Sequence, residues 1–592
     1  MASLVSAMDN YTPKRVGENN HVEYGWSNNL NEKIVQFFFQ LVRTKTPENL
    51  KKQHRTILNM LRGNEKLYKK QFSMMYKLIG QTRDIVKGKG EQQLAFMQIL
   101  NFYESGYRDL AFSAIKKFVI IENEHPYGSW KDIKYFCRYI KGVSASSLHA
   151  KEHPLVKFSC SLIIEQLLKD SINFEKGQSN ISLAARWVPR EKSSFKWVNE
   201  VIAKLMYPKI LASAKNQKSK EKALIKAKIN LKKMYTPLNK KLNTPQIDQC
   251  AKNWSNINFN NVTSCTMRKQ SRAFANKDKK NQVRSNDPDR VACSNNFKTH
   301  MEAAKSDPTN HKVRGRKCSV GDLARDAMNV SMFENNEIDR INLQWEDNKK
   351  NNKGLGNIIP CCDTSGSMEA DNKTPLVNAI GLSVRASELA DDAFKNRILT
   401  FDEKPEWVQL NSNLSFVEKV KQVKNSRWGM STNIYAMFDL LLNVIVENEI
   451  PPLKVENFIL AIFSDMQINC SIDLCPSVKH DDGAFSHYMK TLYDNIKMEF
   501  HRAGMRSKYK TPYKPPHILF WNLRSTKGFP TLSTEKNVTM LSGFSSSLLN
   551  IFCDKGIDAI KEYNPSNMLE EILNDERYAP METDLEKFYE FK

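Results

Sequence analysis

The sequence predicts a multidomain protein in which an N-terminal all-α helical-repeat array is followed by a doubly wound α/β domain. Three observations predict it. From Asn29 to about Ser213, apolar residues recur at three- and four-residue spacing. After Gly356, short apolar runs alternate with helical stretches, the rhythm of a parallel sheet with helices on both faces. Charge is divided along the same line. Residues 354–592 hold 26 basic and 32 acidic side chains, so residues 1–353 carry 63 basic against 33 acidic within the overall net charge of +24.

A chain of 592 residues exceeds one hydrophobic core, and roughly two to four domains are expected. Hydrophobic content of 41% with 10% aromatics fits folded domains rather than disorder. No apolar run reaches the length of a membrane span. The start, Met1-Ala-Ser-Leu-Val-Ser-Ala-Met-Asp9, lacks a basic region followed by a long apolar one, so no signal peptide is expected. The eleven cysteines are scattered and odd in number, which suits a reducing interior. An intracellular, cytoplasmic location is expected, or a virion if the source is viral, with no membrane partner.

Residues 1–25 are polar and expected to be disordered. Residues 26–345 form the basic helical domain. Lys33–Val42, Lys70–Ile79 and Leu94–Leu100 carry its clearest helical spacing, and successive helix pairs of unequal length suggest an irregular, HEAT-like array. Lys215–Lys233 reads as a helix whose narrow apolar face is Leu224, Ile225, Ile229 and Leu231, with lysines on the other side. Residues 204–317 hold 27 basic and 7 acidic side chains. So asymmetric a block points to a polyanion, nucleic acid before any other; a solvated lysine-rich surface is the bland alternative. Lys228, Lys232, Lys233, Lys240 and Lys241 are the expected phosphate contacts. Residues 270–320 are expected to form a mobile exposed loop, and Asn348–Gly356 a hinge.

The α/β domain is placed at residues 354–560, with a helical tail at 561–592. Expected strands are Ile358–Cys362, Arg397–Phe401, Trp407–Leu410, Asn457–Phe463, His517–Trp521 and Asn537–Leu541. Expected helices are Pro375–Phe394, Phe416–Val423, Ile434–Asn448 and Phe485–His501.

The densest chemistry lies where Ile358–Cys362 ends in Asp363-Thr-Ser365-Gly-Ser367. One carboxylate and two hydroxyls on a tight loop suit a hard cation such as Mg²⁺, although short polar residues beside glycine also make ordinary turns. Two further stretches raise the specificity. Trp428-Gly-Met-Ser-Thr432-Asn433 opens a helix, and Phe458–Ser464 is a second apolar strand ending in a carboxylate, Asp465. In a parallel sheet such loops gather at the carboxyl edge of the strands.

The constellation resembles the metal-ion-dependent adhesion site of von Willebrand factor A domains. The resemblance implies Mg²⁺, or another divalent cation such as Mn²⁺, held directly by Ser365, Ser367 and Thr432. Asp363 and Asp465 would act through waters and hydrogen bonds, leaving a position for a partner's carboxylate. The third loop of that family often reads Asp-Gly, whereas Met466 follows Asp465 here.

A helical basic region followed by such a domain resembles the Ro ribonucleoprotein, which implies RNA as partner. Thr82-Arg-Asp84 through Gly88-Lys-Gly90-Glu91, Tyr127-Gly-Ser-Trp130-Lys-Asp132 and Leu183-Ala-Ala-Arg-Trp187-Val-Pro189 resemble phrases of that group. Pro237–Leu242, Trp254–Ile257, Phe520-Trp-Asn-Leu-Arg524 and Leu541–Phe544 resemble an uncharacterised family of plants and large DNA viruses with the same layout. Each phrase also has a structural reading. Gly88 and Gly90 are expected to make a turn, since no Lys-Ser/Thr ending of a nucleotide loop follows. Trp130 and Trp187 are expected as packing anchors rather than base-stacking platforms, and Asp84 and Asp132 as caps or partners of cations.

Cys470, Cys475, His480 and His487 lie close together, but their spacing is unfamiliar for zinc. No nucleophile elbow, kinase set or His-Glu-x-x-His helix is present. The expected function is an RNA-binding scaffold with a metal-dependent, protein-binding second domain, and no catalytic residues are assigned. The rivals are a protein-interaction or packaging component without nucleic acid and, further off, a metal-dependent nuclease.

Overall fold

Five of the six strands of the main sheet are parallel, which buries both their faces and accounts for their near-continuous apolar runs. In this computed structural model the described residues are 8, 11–178, 180–332, 334–426, 432–469, 490–553 and 557–590. Strands are numbered along the chain as β1 (Lys14–Val16), β2 (Val22–Tyr24), β3 (Ile358–Asp363), β4 (Arg397–Phe401), β5 (Glu406–Gln409), β6 (Ile459–Ser464), β7 (His517–Asn522) and β8 (Val538–Ser542). The sheet order is β5-β4-β3-β6-β7-β8, with only β5 antiparallel to its neighbour. All residues of β3, β6, β7 and β8 are buried. Each expected strand is present within two residues at either end. Cys361 and Cys362 are inert fillers of β3, where burial pushes both thiols up, that of Cys362 to about 12.

The chain is helix-rich and divides into two compact units, residues 1–78 with 314–579 and residues 79–313 with 580–592. This division corrects the boundary expected between 345 and 354. Helix Leu30–Gln40 belongs with the sheet. It packs against β8 and against helix Pro565–Leu573. Ile34, Val35, Phe37, Phe38 and Phe39 are each at most 1% exposed. The Phe38 and Phe39 carbonyls accept from Ser542 Oγ (2.7 Å) and Asn522 Nδ2 (3.0 Å), at the ends of β8 and β7. Helical spacing reveals an apolar face but not what covers it.

Two further corrections concern the same unit. Residues 14–24, expected as disordered, form the β1–β2 hairpin, and Tyr24 and Phe529 exchange backbone hydrogen bonds of 2.9 and 3.0 Å. Asn348–Gly356 is tethered rather than a hinge. Asn348 is buried, Asn352 Nδ2 donates to Ser546 O (2.8 Å), and Leu355 N to Leu389 O (2.9 Å). The tail expected from residue 561 begins with Pro565–Leu573, which packs on β8.

In the helical unit, the long helices pack mainly on others nearby along the chain. Gln92–Glu104 meets Arg108–Lys117 and Lys131–Val143, and Pro154–Glu175 meets Lys131–Val143, Lys196–Met206 and Gln217–Leu242. The expected loop 270–320 instead contains helix Pro288–Ser306, capped by the Asp287 carboxylate, with proline in its first turn. Cys293, Phe297, Met301 and Ala304 give it a buried face that its many polar residues mask in the sequence. Two quoted phrases meet here. Arg83 donates through Nε (3.0 Å) and Nη2 (2.7 Å) to Asp132 Oδ2, with both side chains buried. Gly128 admits that carboxylate, since a Cβ there would lie 2.0 Å from Asp132 Oδ2. Asp84 caps the Gly-Lys-Gly turn by accepting from Val86 N and Lys87 N, and Gly90 takes the left-handed φ of +72° that the turn requires. Among the described residues no helix is long and apolar enough to cross a membrane.

Candidate metal centre and basic helical surface

β3 and β6 are neighbours, so their ends bring Asp363 and Asp465 to one edge of the sheet. Asp363 is fully buried. Its Oδ1 accepts from Ser365 N (3.0 Å) and its Oδ2 from Ser464 Oγ (2.5 Å). Ser365 Oγ and Ser367 Oγ are 3.1 Å apart, and Ser367 Oγ donates to Asp465 Oδ1 at 3.2 Å. Four of the five predicted ligands therefore form one hydrogen-bonded web. Thr432, 2% exposed, joins the same edge through its backbone. Its carbonyl accepts from Asn469 N (3.0 Å), and Asn433 N donates to the carbonyl of Asp402 (3.2 Å), just past β4. Trp428, in the stretch that opens this loop, lies outside the described residues, as do Cys470, Cys475, His480 and His487.

Burial, and then the charge of Asp465, pushes the Asp363 carboxyl up to about 7; burial also raises Asp465. The one cation facing the pair among the described residues is Arg524, whose Nη1 lies 3.4 Å from Asp465 Oδ2. Two further buried oxygens just past β3 and β4 have no hydrogen-bond partner, Thr364 Oγ1 and Asp402 Oδ2. Buried anions short of positive charge and oxygens short of a partner fit a hard cation. Met466 takes a φ of +60°, so the backbone is left-handed at the position where the resemblance expects glycine. Among the described residues, no three His, Cys, Asp or Glu side chains cluster as a metal site, so any ion here would rest largely on hydroxyls.

Sequence reasoning missed Arg524, Asp402, Ser464 and the N-terminal hairpin. Asn19 Nδ2 donates to Gln467 O (2.9 Å), Gln467 Nε2 donates to Glu18, and His21 Nε2 lies 3.0 Å from Tyr435 Oη. The hairpin thus borders the loops that carry Asp465 and Thr432. A signal existed for Arg524, which ends the phrase Phe520-Trp-Asn-Leu-Arg524. None existed for the hairpin, which lies more than 400 residues away in sequence.

The predicted nucleic-acid residues stand on helix Gln217–Leu242, whose start is a capping box of Asn216 and Ser219. Lys232, Lys233, Lys240 and Lys241 are exposed and Lys228 half-buried, and none forms an ion pair among the described residues. The apolar face is corrected. The buried side is Ala223, Ala227, Leu231, Tyr235 and Leu238, while Ile225 and Ile229 are 57% and 47% exposed beside the lysines. Small alanines carry the packing, which a search for large apolar residues passes over. Trp130 is buried as expected of a packing anchor, but Trp187 is only half-buried.

Residues 357–587 match a domain of unknown function (DUF7788), and residues 157–284 match another domain of unknown function (DUF2828). The chain is similar to an uncharacterized protein of Acanthamoeba polyphaga mimivirus, 27% identical over 509 residues that span 84% of this chain and 78% of that protein. Among solved structures it is similar to the crystal structure of the Deinococcus radiodurans RO (RSR) protein. That match is 8% identical, covers 89% of this chain and 99% of the other, and has a TM-score of 0.30, too low to carry an argument about fold or function.

Proposed function

We propose that the chain is an RNA-binding scaffold. Its basic helical unit holds the nucleic acid. Its α/β unit, of the von Willebrand factor A type, carries a divalent cation that receives a carboxylate from a protein partner. The observation that carries the RNA half is the segregation of charge, 27 basic against 7 acidic side chains over residues 204–317, with the lysines of helix Gln217–Leu242 turned to solvent and unpaired. The web of Asp363, Ser365, Ser367 and Asp465 supports the metal half. A bound ion would supply Lewis acidity to an incoming carboxylate. Hydroxyl ligands leave its charge largely uncancelled, which favours capture of an anion over activation of water, so the proposal is binding rather than catalysis.

Each half has its own test. Filter binding of single-stranded RNA to the full chain is expected to detect complex at low salt. Log affinity should fall with log salt at a slope of about −0.7 per phosphate neutralised. Absence of complex at low salt would reject the RNA half. Calorimetric titration with MgCl₂ or MnCl₂ is expected to show one site in the unaltered chain and none in Asp363→Ala. An equal heat signal in the two proteins would reject the metal half and leave the RNA half standing.

A further inference from the structure

Helix Lys131–Val143 presents Lys131, Lys134, Arg138 and Lys141 at spacings of three, four and three, one face of an α-helix. That face meets a row of rings from residues 184–197. Lys134 Nζ lies 4.5 Å from the centroid of Trp187, 5.3 Å from Phe195 and 5.4 Å from Tyr135. Arg138 lies over Phe195 (5.8 Å), Lys141 over Trp197 (5.5 Å) and Arg186 over Trp187 (5.5 Å). Arg190 lies 5.0 Å over Tyr235, which belongs to the lysine-bearing helix Gln217–Leu242. The basic face of Lys131–Val143 therefore adjoins, through Arg190, the helix that bears the lysines.

Packing alone accounts poorly for this cluster. None of these cations forms an ion pair among the described residues. Burial, and then the charges of Lys131 and Arg186, lower the Lys134 ammonium below the usual lysine value, so like charges are held together without compensation. The nearby acids are engaged elsewhere. Asp132 is buried against Arg83, and Glu200 pairs with Lys151 and Lys204. Glu191, exposed, is the single acid of residues 184–197, against Arg186, Arg190, Lys192 and Lys196. Uncompensated cations interleaved with half-exposed rings match the chemistry of an unpaired nucleic-acid strand, whose phosphates need charge and whose bases offer π-faces. A duplex hides those faces.

We infer that the track formed by Lys131, Lys134, Arg138 and Lys141 with Tyr135, Trp187 and Phe195 is a binding site for single-stranded RNA, read by stacking and phosphate contact rather than by base identity. This rests on the RNA half of the proposed function and gives it a location the lysine count does not. Bases insert against the rings while the helix-borne cations follow the backbone toward Arg190 and helix Gln217–Leu242.

The test uses the full chain and fluorescein-labelled oligouridylate of about 20 nucleotides, followed by anisotropy. The double variant Arg138→Glu/Lys141→Glu alters exposed positions only. It is expected to weaken binding by about 10- to 100-fold and to make the salt slope shallower by about 1.4, the loss of two phosphate contacts. Lys52→Glu/Lys514→Glu, an equal charge change at exposed positions of the other unit, should stay within about threefold. If the glutamate pair shifts the melting curve, Arg138→Gln/Lys141→Gln replaces it. The unaltered chain should also bind the single strand more tightly than a duplex of equal length, the reverse of what charge density alone dictates. Equal weakening by both pairs, or tighter binding of the duplex, overturns the inference while RNA binding stands. No binding by the unaltered chain at low salt overturns the proposed function itself.

Discussion

A chain that begins at Arg314 is expected to yield an aggregated or molten α/β unit, although it keeps every strand of the main sheet and all five candidate metal ligands. What it loses is helix Leu30–Gln40, which lays Phe37, Phe38 and Phe39 into the core at no more than 1% exposure. Removing even one such ring leaves a cavity. Phe38→Ala in the full chain should cost about 3–5 kcal/mol, against a typical total of about 5–15 kcal/mol. The losses are polar as well. Ser533 N donates to the Glu32 carboxylate (2.9 Å), and Gln40 Nε2 donates to Gly528 O (2.9 Å). Without the helix these groups, Asn522 and Ser542 lose partners in an apolar setting, at about 1–3 kcal/mol each. Size-exclusion chromatography and near-ultraviolet circular dichroism report the outcome. A monomer with the full chain's near-ultraviolet spectrum would show that the helix is dispensable. Partial recovery on adding a peptide of residues 11–45 would tie the defect to the missing segment.

The second large effect lies in the helical unit. Asp132→Ala is expected to destabilise it by about 3–5 kcal/mol, because Arg83 stays buried with its counter-charge gone. Ser129 N and Gln92 Nε2 lose an acceptor in the same step. The double variant Arg83→Met/Asp132→Leu should recover much of the loss, since an apolar pair needs no counter-charge. Denaturant unfolding of the single and double variants measures the difference. A double variant no better than Asp132→Ala would show that the fold needs these polar partners themselves. RNA affinity is not the readout here, because neither side chain reaches the surface.

The sheet was legible in the sequence because parallel strands buried on both faces produce unbroken apolar runs such as Ile459–Ser464. The candidate metal ligands were legible because they terminate those runs. Helix Pro288–Ser306 was hidden, since four buried residues in nineteen leave its pattern diluted by asparagine, lysine and serine. The placement of helix Leu30–Gln40 was hidden for another reason. Local spacing fixes its conformation and its apolar side, while its partners, β8 and Pro565–Leu573, lie at the far end of the chain. Trp187 escaped because a tryptophan in a helical region is most often core, and only the assembled neighbourhood reveals the cations over its ring.

The hydrogen bond from Ser542 Oγ to the Phe38 carbonyl joins residues 504 positions apart. On a ribosome moving at about 5–20 residues per second, the three phenylalanines emerge roughly 25–100 s before their acceptor surface exists. During that interval an amphipathic segment waits without its partner while the intervening helices are synthesised. Nascent chains of this protein should therefore need chaperones at this early segment, and slowing translation should lower the soluble yield rather than raise it.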